Sequence, residues 1–400
     1  MKSTFIPSRK KRLLFWRTLF LLFSCAPFQE TFSQEYPVRP EAYIEQGEYA
    51  KAIKVLEKNL DNIKSDTALT EQFNWLANLY LLNNNWQGMV NMYKGYKFAP
   101  GEDTSLLSAA RFYLENEKQE IIVGGDNLNP IPFKPSKTGT PMIEVSINGK
   151  KYRFWVDTGA GLTVLSSDVA KKCGIKQLTQ TGGNATAATG NKVSIDYGLI
   201  TDLQAGNVSV KNHPCLVLQK KDLEFRIAGI RIIKIDGIIG WNFLQEMGVS
   251  IDFVNKWIQF EPPLDTPKGE VNFFWMEQPY FKCTLNGNVS SIFFIDTGAS
   301  ISGIYSSIYS KVDTTGATYK TIGIGSAGGK IKMRSLILPG LTLKIKTREL
   351  FMKNLNSEPL IHNKGYFVPD GVLGVKELQP YVLRFNLRQG YFEVEVGVKR

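Results

Sequence analysis

One short sequence pattern occurs twice in the chain and constrains its fold more than any other feature. A run of large apolar residues leads into Asp-Thr-Gly at residues 154–161 and again at residues 293–300. Apolar runs of this kind predict buried β-strands, and Asp-Thr-Gly predicts a turn at the end of each strand. A carboxylate at the end of a buried strand costs free energy unless hydrogen bonds or a chemical role hold it there. Asp157 and Asp296 are therefore the first candidates for a functional site.

The second half of the chain repeats the first in more than this pattern. Three further pairs of segments recur in the same order: Asn-Gly at 148–149 and 286–287, an Asp-Gly block at 236–240 and 370–374, and an apolar strand pattern at 249–253 and 383–387. The two acids are 139 positions apart, and the two later pairs are 134 positions apart. Such nearly constant spacing indicates a duplicated domain, and period-two alternation within each copy predicts β-strands. We therefore predict a mainly β protein with homologous lobes at residues 140–263 and 270–398.

Each copy joins hydrophobic-hydrophobic-Asp-Thr-Gly-Ala to a later hydrophobic-hydrophobic-Gly block. This combination resembles the aspartic peptidases of the retropepsin and pepsin type, over about residues 140–398. The stretch Ile238-Ile239-Gly240-Trp241-Asn242-Phe243-Leu244 is especially similar to the retroviral form, in which two identical chains build one site. Here a single chain carries both halves, as pepsin does. The resemblance implies two acid-protease β-barrel lobes in tandem.

The resemblance also implies a reaction and the residues that perform it. In this class of enzyme two carboxyl groups share one proton, and together they activate a water molecule that hydrolyses a peptide bond. Like charges a few ångströms apart cannot both ionise, so the pKa of one group falls and that of the other rises. The implied catalytic pair is Asp157 and Asp296, acting on a protein or peptide substrate without a cofactor or metal ion.

Two further groups of residues are implied to support this pair. Loop residues are expected to hydrogen-bond across the lobe interface, to permit the tight turns and to expose backbone N–H groups to the acids: Thr158, Gly159, Thr297 and Gly298. Other residues are expected to pack beneath the two loops: Ile238, Ile239, Gly240, Val372, Leu373 and Gly374. The acids that precede these blocks, Asp236 and Asp370, are interpreted as turn formers because Asp-Gly favours turns.

Each lobe is also expected to carry a flap, a hairpin that closes over the substrate and excludes water. The candidate in lobe 1 is residues 181–192, where Gly and Asn predict polar turns. The candidate in lobe 2 is residues 322–330, with the sequence Ile-Gly-Ile-Gly-Ser-Ala-Gly-Gly-Lys. No Gly-Lys-Ser/Thr follows these glycines, so a phosphate-binding loop is not indicated. A pair of flaps, as in retropepsins, is the preferred interpretation.

The N-terminal residues 1–33 have the pattern of a secretory signal peptide, in which a basic start precedes a short apolar core. The uninterrupted apolar part, residues 18–28, is too short to span a bilayer. An alternative is lipoprotein processing, because Leu-Phe-Ser-Cys ending at Cys25 resembles a bacterial lipobox. A buried helix is the remaining alternative. The first two predict export to the periplasm or cell envelope, with membrane contact only through a lipid anchor at Cys25.

Residues 40–122 have apolar side chains at helical spacing, and residues 43–52 resemble part of a tetratricopeptide repeat, in which small residues let paired helices pack closely. One interpretation is a module that binds a partner protein. The other is a helical prodomain or cap that packs only on its neighbour, and the sequence leaves both open. Residues 123–139 are rich in Pro, Gly, Asn and Lys, which predicts a linker.

Composition excludes several other functions. The formal net charge is +11, but the basic residues are scattered and form no stripe with aromatic residues, so nucleic-acid binding is not indicated. The cysteines and histidines fit no zinc spacing, and both histidines are interpreted as structural or surface residues: Cys25, Cys173, Cys215, Cys283, His213 and His362. The sequence leaves open whether Cys173 and Cys215 pair.

Two rival hypotheses keep the same fold. In the first, the protein is an inactive module that binds a peptide or an envelope ligand, while the helical repeats dock a partner protein. In the second, each lobe pairs with a lobe of another chain. Intact Asp-Thr-Gly in both copies favours an active peptidase that builds its site within one chain.

Overall fold

The structure is a computed structural model. It describes residues 39–61, 66–95, 104–124, 129–178, 183–186, 190–227, 230–262, 269–326, 329–358 and 369–400. The predicted signal peptide, Cys25 and His362 lie outside these ranges. Among the helices within them, none is long and apolar enough to cross a membrane.

The N-terminal segment is helical, as its apolar spacing predicts. Its helices are α1 (Pro40–Ile44), α2 (Tyr49–Leu60), α3 (Asp66–Leu82), α4 (Trp86–Gly95) and α5 (Ser105–Leu114). Gly47 separates α1 from α2 with a positive φ of 73°, a conformation that glycine adopts without steric cost. Each helix packs against the next, and Ala52 and Leu56 are fully buried between them. The likeness to tetratricopeptide repeats stays a prediction.

Residues 120–261 form the first set of strands. These are β1 (Glu120–Val123), β2 (Ile131–Pro132), β3 (Lys134–Pro135), β4 (Pro141–Ile147), β5 (Lys150–Val156), β6 (Thr163–Ser166), β7 (Lys176–Leu178), β8 (Asn184–Thr186), β9 (Lys192–Ala205), β10 (Val208–Leu218), β11 (Glu224–Ile227), β12 (Ile230–Lys234), β13 (Gly237–Ile239), β14 (Gly248–Asp252) and β15 (Trp257–Glu261). Helices α6 (Ser167–Lys172) and α7 (Trp241–Leu244) and a 3₁₀ turn (Lys220–Leu223) connect them. Six strands close a barrel in the order β4-β5-β13-β6-β10-β9, because β9 also pairs with β4.

Residues 273–396 form the second set of strands. These are β16 (Phe273–Met276), β17 (Gln278–Leu285), β18 (Val289–Ile295), β19 (Gly303–Tyr305), β20 (Thr318–Ser326), β21 (Gly329–Ile345), β22 (Arg348–Glu358), β23 (Gly371–Leu373), β24 (Tyr381–Asn386) and β25 (Tyr391–Val396). Helix α8 (Val375–Leu378) and a 3₁₀ turn (Ser306–Ser310) connect them. Here too six strands close a barrel, in the order β17-β18-β23-β19-β22-β21.

The two barrels are copies of one another, strand for strand. In each barrel the strand that delivers the acid runs parallel to the strand of the glycine block, as β5 does to β13 and β18 to β23. The next pairs are also equivalent, because β6 runs parallel to β10 and β19 to β22. The predicted fold, mainly β with two homologous lobes after a helical segment, is confirmed.

A five-stranded sheet joins the lobes, in the order β2-β15-β14-β24-β25. Its central pair brings one strand from each copy together, with Val249 opposite Phe385 and Ile251 opposite Leu383. The edge strand β2 lies within the predicted linker, and Ile131 pairs with Ile258. Residues 131–135 therefore add strands to the folded body, since β3 also pairs with β4 of the first barrel.

An aromatic cluster fills the core beneath this sheet. Trp241 of lobe 1 stacks on Phe385 with ring centroids 5.6 Å apart and meets Phe273 edge-on at 5.7 Å. Phe281 and Phe392 stack at 4.3 Å. Aromatic pairs in these geometries add to the stabilisation from burial alone. The lobes therefore share one core rather than meeting at a wet interface.

The helical segment packs against both lobes. On the side of lobe 2, the backbone N–H of Trp275 donates to the hydroxyl of Tyr49 at 2.9 Å. On the side of lobe 1, the side chain of Gln245 donates to the carbonyl of Leu82 at 2.7 Å. Side-chain contacts of this kind anchor the helical segment to both lobes. The described helical segment is thus packed against the two lobes and is not a separate domain.

We expect Phe385→Ala to lower the free energy of unfolding by about 3–5 kcal/mol, because it removes a buried ring and leaves a cavity. The control is Phe351→Ala, since Phe351 is 61% exposed whereas Phe385 is 2% exposed. Exposed positions change stability by about 0.5 kcal/mol or less. Urea unfolding of both variants measures the difference, and equal losses would contradict a core shared by the two lobes.

Candidate active site

The two acids lie at the ends of equivalent strands. Asp157 directly follows β5 and Asp296 directly follows β18. The backbone N–H of each donates to the last carbonyl of the neighbouring block strand, β13 or β23, from Asp157 to Ile239 at 3.1 Å and from Asp296 to Leu373 at 3.1 Å. Each block strand therefore continues the sheet beside its acid and fixes where the active loop leaves the barrel.

A glycine follows two residues after each acid and donates its N–H back to it. The distances are 2.9 Å from Gly159 N to Asp157 Oδ1 and 2.8 Å from Gly298 N to Asp296 Oδ1. A Cβ on Gly159 would lie 2.7 Å from Oδ1 of Asp296, and one on Gly298 would lie closer still to Asp157. The sequence predicted these glycines for their turns. The structure adds a second reason, because each glycine faces the carboxyl of the opposite lobe.

The threonines between acid and glycine hydrogen-bond reciprocally across the lobes. The N–H of Thr158 donates to Oγ1 of Thr297, and the N–H of Thr297 donates to Oγ1 of Thr158, both at 3.0 Å. Each hydroxyl then donates to the other lobe, from Thr158 to Ile295 O at 2.8 Å and from Thr297 to Val156 O at 2.7 Å. Both threonines are fully buried. These four hydrogen bonds hold the two loops in one fixed arrangement.

The glycine blocks pair with the strands that deliver the acids and contact the loops that follow them. Ile238 and Ile239 pair with β5, and Val372 and Leu373 pair with β18. A Cβ on Gly374 would lie 2.6 Å from the backbone of Ile301, and Gly240 is equally confined by Leu162. The lack of room for a Cβ therefore explains why both positions, 240 and 374, are glycine. Just beyond them, Trp241 N donates to Ala160 O at 2.6 Å and Val375 N to Ala299 O at 3.0 Å.

Four supporting residues were not found from the sequence. Each lobe has a hydroxyl six residues after its acid, Thr163 or Ser302, and a side-chain acceptor shortly after its block, Asn242 or Glu377. Asn242 accepts from Thr163 N at 2.8 Å, and Glu377 accepts from Ser302 N at 3.1 Å. Aligning the sequences of the two copies at their acids would have shown that Thr163 and Ser302 occupy equivalent positions. Asn242 and Glu377 differ in residue type, so the sequence does not show that they have the same role.

Burial and mutual repulsion set the electrostatics of the pair. Burial raises the pKa of Asp157 well above its usual range, and the neighbouring charge of Asp296 raises it further. Burial also raises the pKa of Asp296, while hydrogen bonds from Asp157 and from the N–H groups of Gly298 and Ala299 oppose this shift. The pair therefore retains one proton at pH values where two isolated carboxyls would both be ionised.

Both flap candidates form hairpins. In lobe 1, β8 pairs with the start of β9, and in lobe 2, β20 pairs with the start of β21. The side-chain nitrogen of Asn191 lies 3.4 Å from where a Cβ on Gly329 would stand, so the two hairpins meet near their tips. Residues 187–189 and 327–328 lie outside the described residues.

The other acids and the cysteines have structural surroundings. Asp236 pairs with Lys234 at 2.5 Å, and buried Asp370 pairs with Lys311 at 2.8 Å. Cys173 and Cys215 are both buried free thiols, so the disulfide that the sequence left open does not form. Within the described ranges, no cluster of three His, Cys, Asp or Glu residues has the arrangement of a metal site.

Comparison with known proteins agrees with this geometry. A profile of a family described as aspartyl protease matches residues 143–243. The matched range covers most of lobe 1, including Asp157 and the block at 238–240, whereas Asp296 lies beyond it. No curated protein matches the chain. The profile and the pair of six-stranded barrels together support a retropepsin-like aspartic protease fold.

We expect Thr158→Val to destabilise the protein strongly, because it removes the hydroxyl that serves Thr297 N and Ile295 O. Each buried group left without a partner costs about 1–3 kcal/mol. Thr158→Ser keeps the hydroxyl and loses one methyl, worth about 0.8 kcal/mol. Urea unfolding compares the two variants. A valine variant as stable as the serine variant would contradict the reciprocal hydrogen bonds.

We also expect the free energy of unfolding to fall as pH rises above about 4, the usual pKa of an unfolded aspartate. The folded pKa values are raised, so the folded pair holds a proton that the unfolded chain releases, and stability is lost towards the raised pKa. Asp157→Asn removes part of this dependence. Half-buried Glu277, with its pKa raised to about 7, contributes equally to both proteins. Parallel stability curves between pH 4 and 8 would contradict the assignment.

Proposed function

We propose that the protein is an aspartic-type endopeptidase, which hydrolyses peptide bonds with a water molecule activated between Asp157 and Asp296. One observation carries the proposal. Two half-buried carboxyls from different lobes lie together at the centre of a twofold-related pair of loops, each against the glycine of the opposite loop. A buried acid pair is costly for stability, and such arrangements concentrate at functional sites.

The chemistry follows from the shared proton. The ionised carboxylate accepts a proton from the water, which then attacks the carbonyl carbon of the substrate. The protonated carboxyl donates its proton to the carbonyl oxygen, so that the intermediate carries no net oxyanion. A proton then passes to the amide nitrogen, and the C–N bond breaks. As that bond breaks, one hydroxyl of the intermediate returns its proton to the pair and becomes the C=O of the acid product, so the two carboxyls again share one proton.

The surroundings suit this reaction. Backbone N–H groups from Gly159 and Gly298 orient one oxygen of each acid, and the threonine hydrogen bonds prevent the acids from moving apart. A group fixed in this way needs no reorganisation during the reaction, which is the main source of electrostatic catalysis. We propose that an extended peptide lies in the cleft between the lobes, beneath the two hairpins, where water is excluded.

The pH dependence should reflect the pair and not either residue alone. Activity requires exactly one proton on two carboxyls, which gives a bell-shaped profile with two macroscopic pKa values. Burial raises the pKa of both groups, so the proton is retained to higher pH than ordinary carboxyls would allow. The proposal therefore places the alkaline limb of the profile well above the usual aspartate range.

The test is cleavage of a mixed peptide library by the full chain, from acidic to neutral pH, with products identified by mass spectrometry. We expect Asp157→Asn and Asp296→Asn each to lower the rate about 10²–10⁴-fold, the range for loss of a general acid or base. Asp236→Asn is the matched control, because Asp236 is an acid of lobe 1 that pairs with Lys234 outside the site.

The outcomes separate the rival hypotheses. Cleavage that both asparagine variants lose and the control keeps supports the proposal. Cleavage that survives either asparagine variant would contradict a shared pair within one chain. Peptide binding without cleavage by the wild type would instead support the inactive binding module.

A further inference from the structure

We propose that His213 is a positioning residue for the lobe 1 active loop, and that it connects this loop to the helical segment through Gln119 and Asn84. The inference rests on the proposed function for its kinetic consequences. Its basis is a continuous chain of hydrogen bonds that begins in the turn between α3 and α4 and ends at Asn242 and Gly240, just after the strand that pairs with the one delivering Asp157.

The chain of hydrogen bonds has one direction along its length. Asn84 donates to the side-chain oxygen of Gln119 at 2.9 Å, and the Gln119 amide contacts Nδ1 of His213 at 3.0 Å. An amide nitrogen can only donate, so Nδ1 accepts and the proton of the neutral ring lies on Nε2. Nε2 then donates to Oγ1 of Thr163 at 2.8 Å.

Thr163 passes the connection to the active loop. Because its Oγ1 accepts from His213, its own proton is directed to Oδ1 of Asn242, at 3.1 Å. Oγ1 also faces the N–H of Gly240 at 3.4 Å, and the side chain of Asn242 donates to Pro214 O at 2.8 Å. Gly240 and its neighbours confine the loop that carries Asp157, through contacts with Leu162 and Ala160.

Burial makes this arrangement rigid. His213 and Thr163 are fully buried, and Asn242 is buried beside them. Burial lowers the pKa of His213 to about 3, so the ring is neutral at pH values above that. A protonated ring would have to donate from Nδ1 as well, against the donating amide of Gln119. The tautomer is therefore fixed where the enzyme is expected to be active.

In lobe 2 the equivalent hydroxyl, that of Ser302, is held without a histidine. Ser302 donates to the carboxylate of Glu377 at 2.6 Å and accepts from Gly374 N at 3.0 Å. A carboxylate is a stronger acceptor than an amide, so it holds the serine without outside help. In lobe 1 the weaker amide acceptor, Asn242, is supplemented by His213. The helical segment is thereby built into the support of one acid and not the other.

The outer end of the chain is open to solvent. Asn84 and Gln119 line a cleft of about 680 Å³ between the helical segment and lobe 1. Both residues can therefore be substituted without disturbing the buried core. The solvent-accessible part of the chain of hydrogen bonds, at Asn84 and Gln119, and its buried part, at His213, can therefore be tested by separate substitutions.

The experiment compares three variants of the full chain with the wild type. His213→Met and Gln119→Met each interrupt the chain of hydrogen bonds, at different points. His213→Gln keeps a donor and an acceptor on the side chain. Tyr113→Phe is the control, because the Tyr113 hydroxyl joins α5 to Gly198 O and Cys215 O at 3.3 Å in the same interface but outside the chain. Near-ultraviolet circular dichroism confirms that each variant is folded.

We expect His213→Met to lower kcat roughly 10- to 100-fold with KM nearly unchanged, since displacement of a catalytic group by about 1 Å costs on the order of 10²-fold. Gln119→Met should lower kcat several-fold, whereas His213→Gln and Tyr113→Phe should stay within about threefold of the wild type. The proposal is overturned if His213→Met retains full kcat, or if Tyr113→Phe loses as much.

A second readout does not depend on activity. Carbon-13 NMR of labelled aspartates measures the titration of Asp157 and Asp296 in each variant. A looser loop weakens the coupling of the two carboxyls, so we expect the upper pKa of the pair to fall in His213→Met and to stay unchanged in Tyr113→Phe. If the wild type cleaves no peptide, the proposed function fails, and this titration still decides whether His213 positions the pair. Identical titrations in all five proteins would refute it.

Discussion

The reciprocal hydrogen bonding of Thr158 and Thr297 is the interaction on which the rest of the structure depends. Each hydroxyl accepts the N–H of the other threonine and donates to a carbonyl of the other lobe, so four groups are satisfied by two side chains. All of them are buried, and each would be costly if left unpaired. The lobes can therefore meet in only one arrangement without losing several hydrogen bonds.

Other features follow from that arrangement. Once the loops interlock, Gly159 and Gly298 stand against the opposite carboxyls, where a Cβ has no room. The two acids come together at this interface, where burial raises the pKa of each and the charge of Asp296 raises that of Asp157 further, so the pair holds one shared proton. The sheet between the lobes and the aromatic cluster around Trp241 supply apolar burial that offsets this cost.

Most of the fold could be predicted because its signals are local and repeated. The strands before Asp157 and Asp296, the glycine blocks and the duplicated order can all be recognised as short sequence patterns. In the structure each of the two acids lies against the glycine of the opposite lobe. The helices of the N-terminal segment could also be predicted from the spacing of their apolar residues, although the likeness to a repeat family stays a prediction. The catalytic roles themselves are tested only by experiment.

What the sequence could not show depends on contacts between distant segments. Nothing near His213 indicates that it meets Thr163, fifty positions away, or Gln119 in another segment. The composition of residues 123–139 predicted a linker, yet Ile131 is buried in the sheet between the lobes, where pairing outweighs local preference. The helices of residues 40–114 likewise gave no sign that Tyr49 and Leu82 contact different lobes.

The two lobes differ in the residues that support their active loops. Two identical chains must support both acids in the same way, whereas here Asn242 with His213 supports one loop and Glu377 supports the other. A single proton shared by two acids is itself an asymmetric state. Separate supports allow each loop to be adjusted to its own role, and they tie the helical segment to the lobe that carries Asp157.

The most direct test of this account is native-state hydrogen exchange at the amides of Thr158 and Thr297. If the reciprocal hydrogen bonds hold the lobes together, both amides exchange only through global unfolding, with the same protection free energy as the core strands. Their protection should also fall together in denaturant. Exchange of either amide through a local opening of lower free energy would show that the loops separate while the lobes stay folded, and would contradict the central claim.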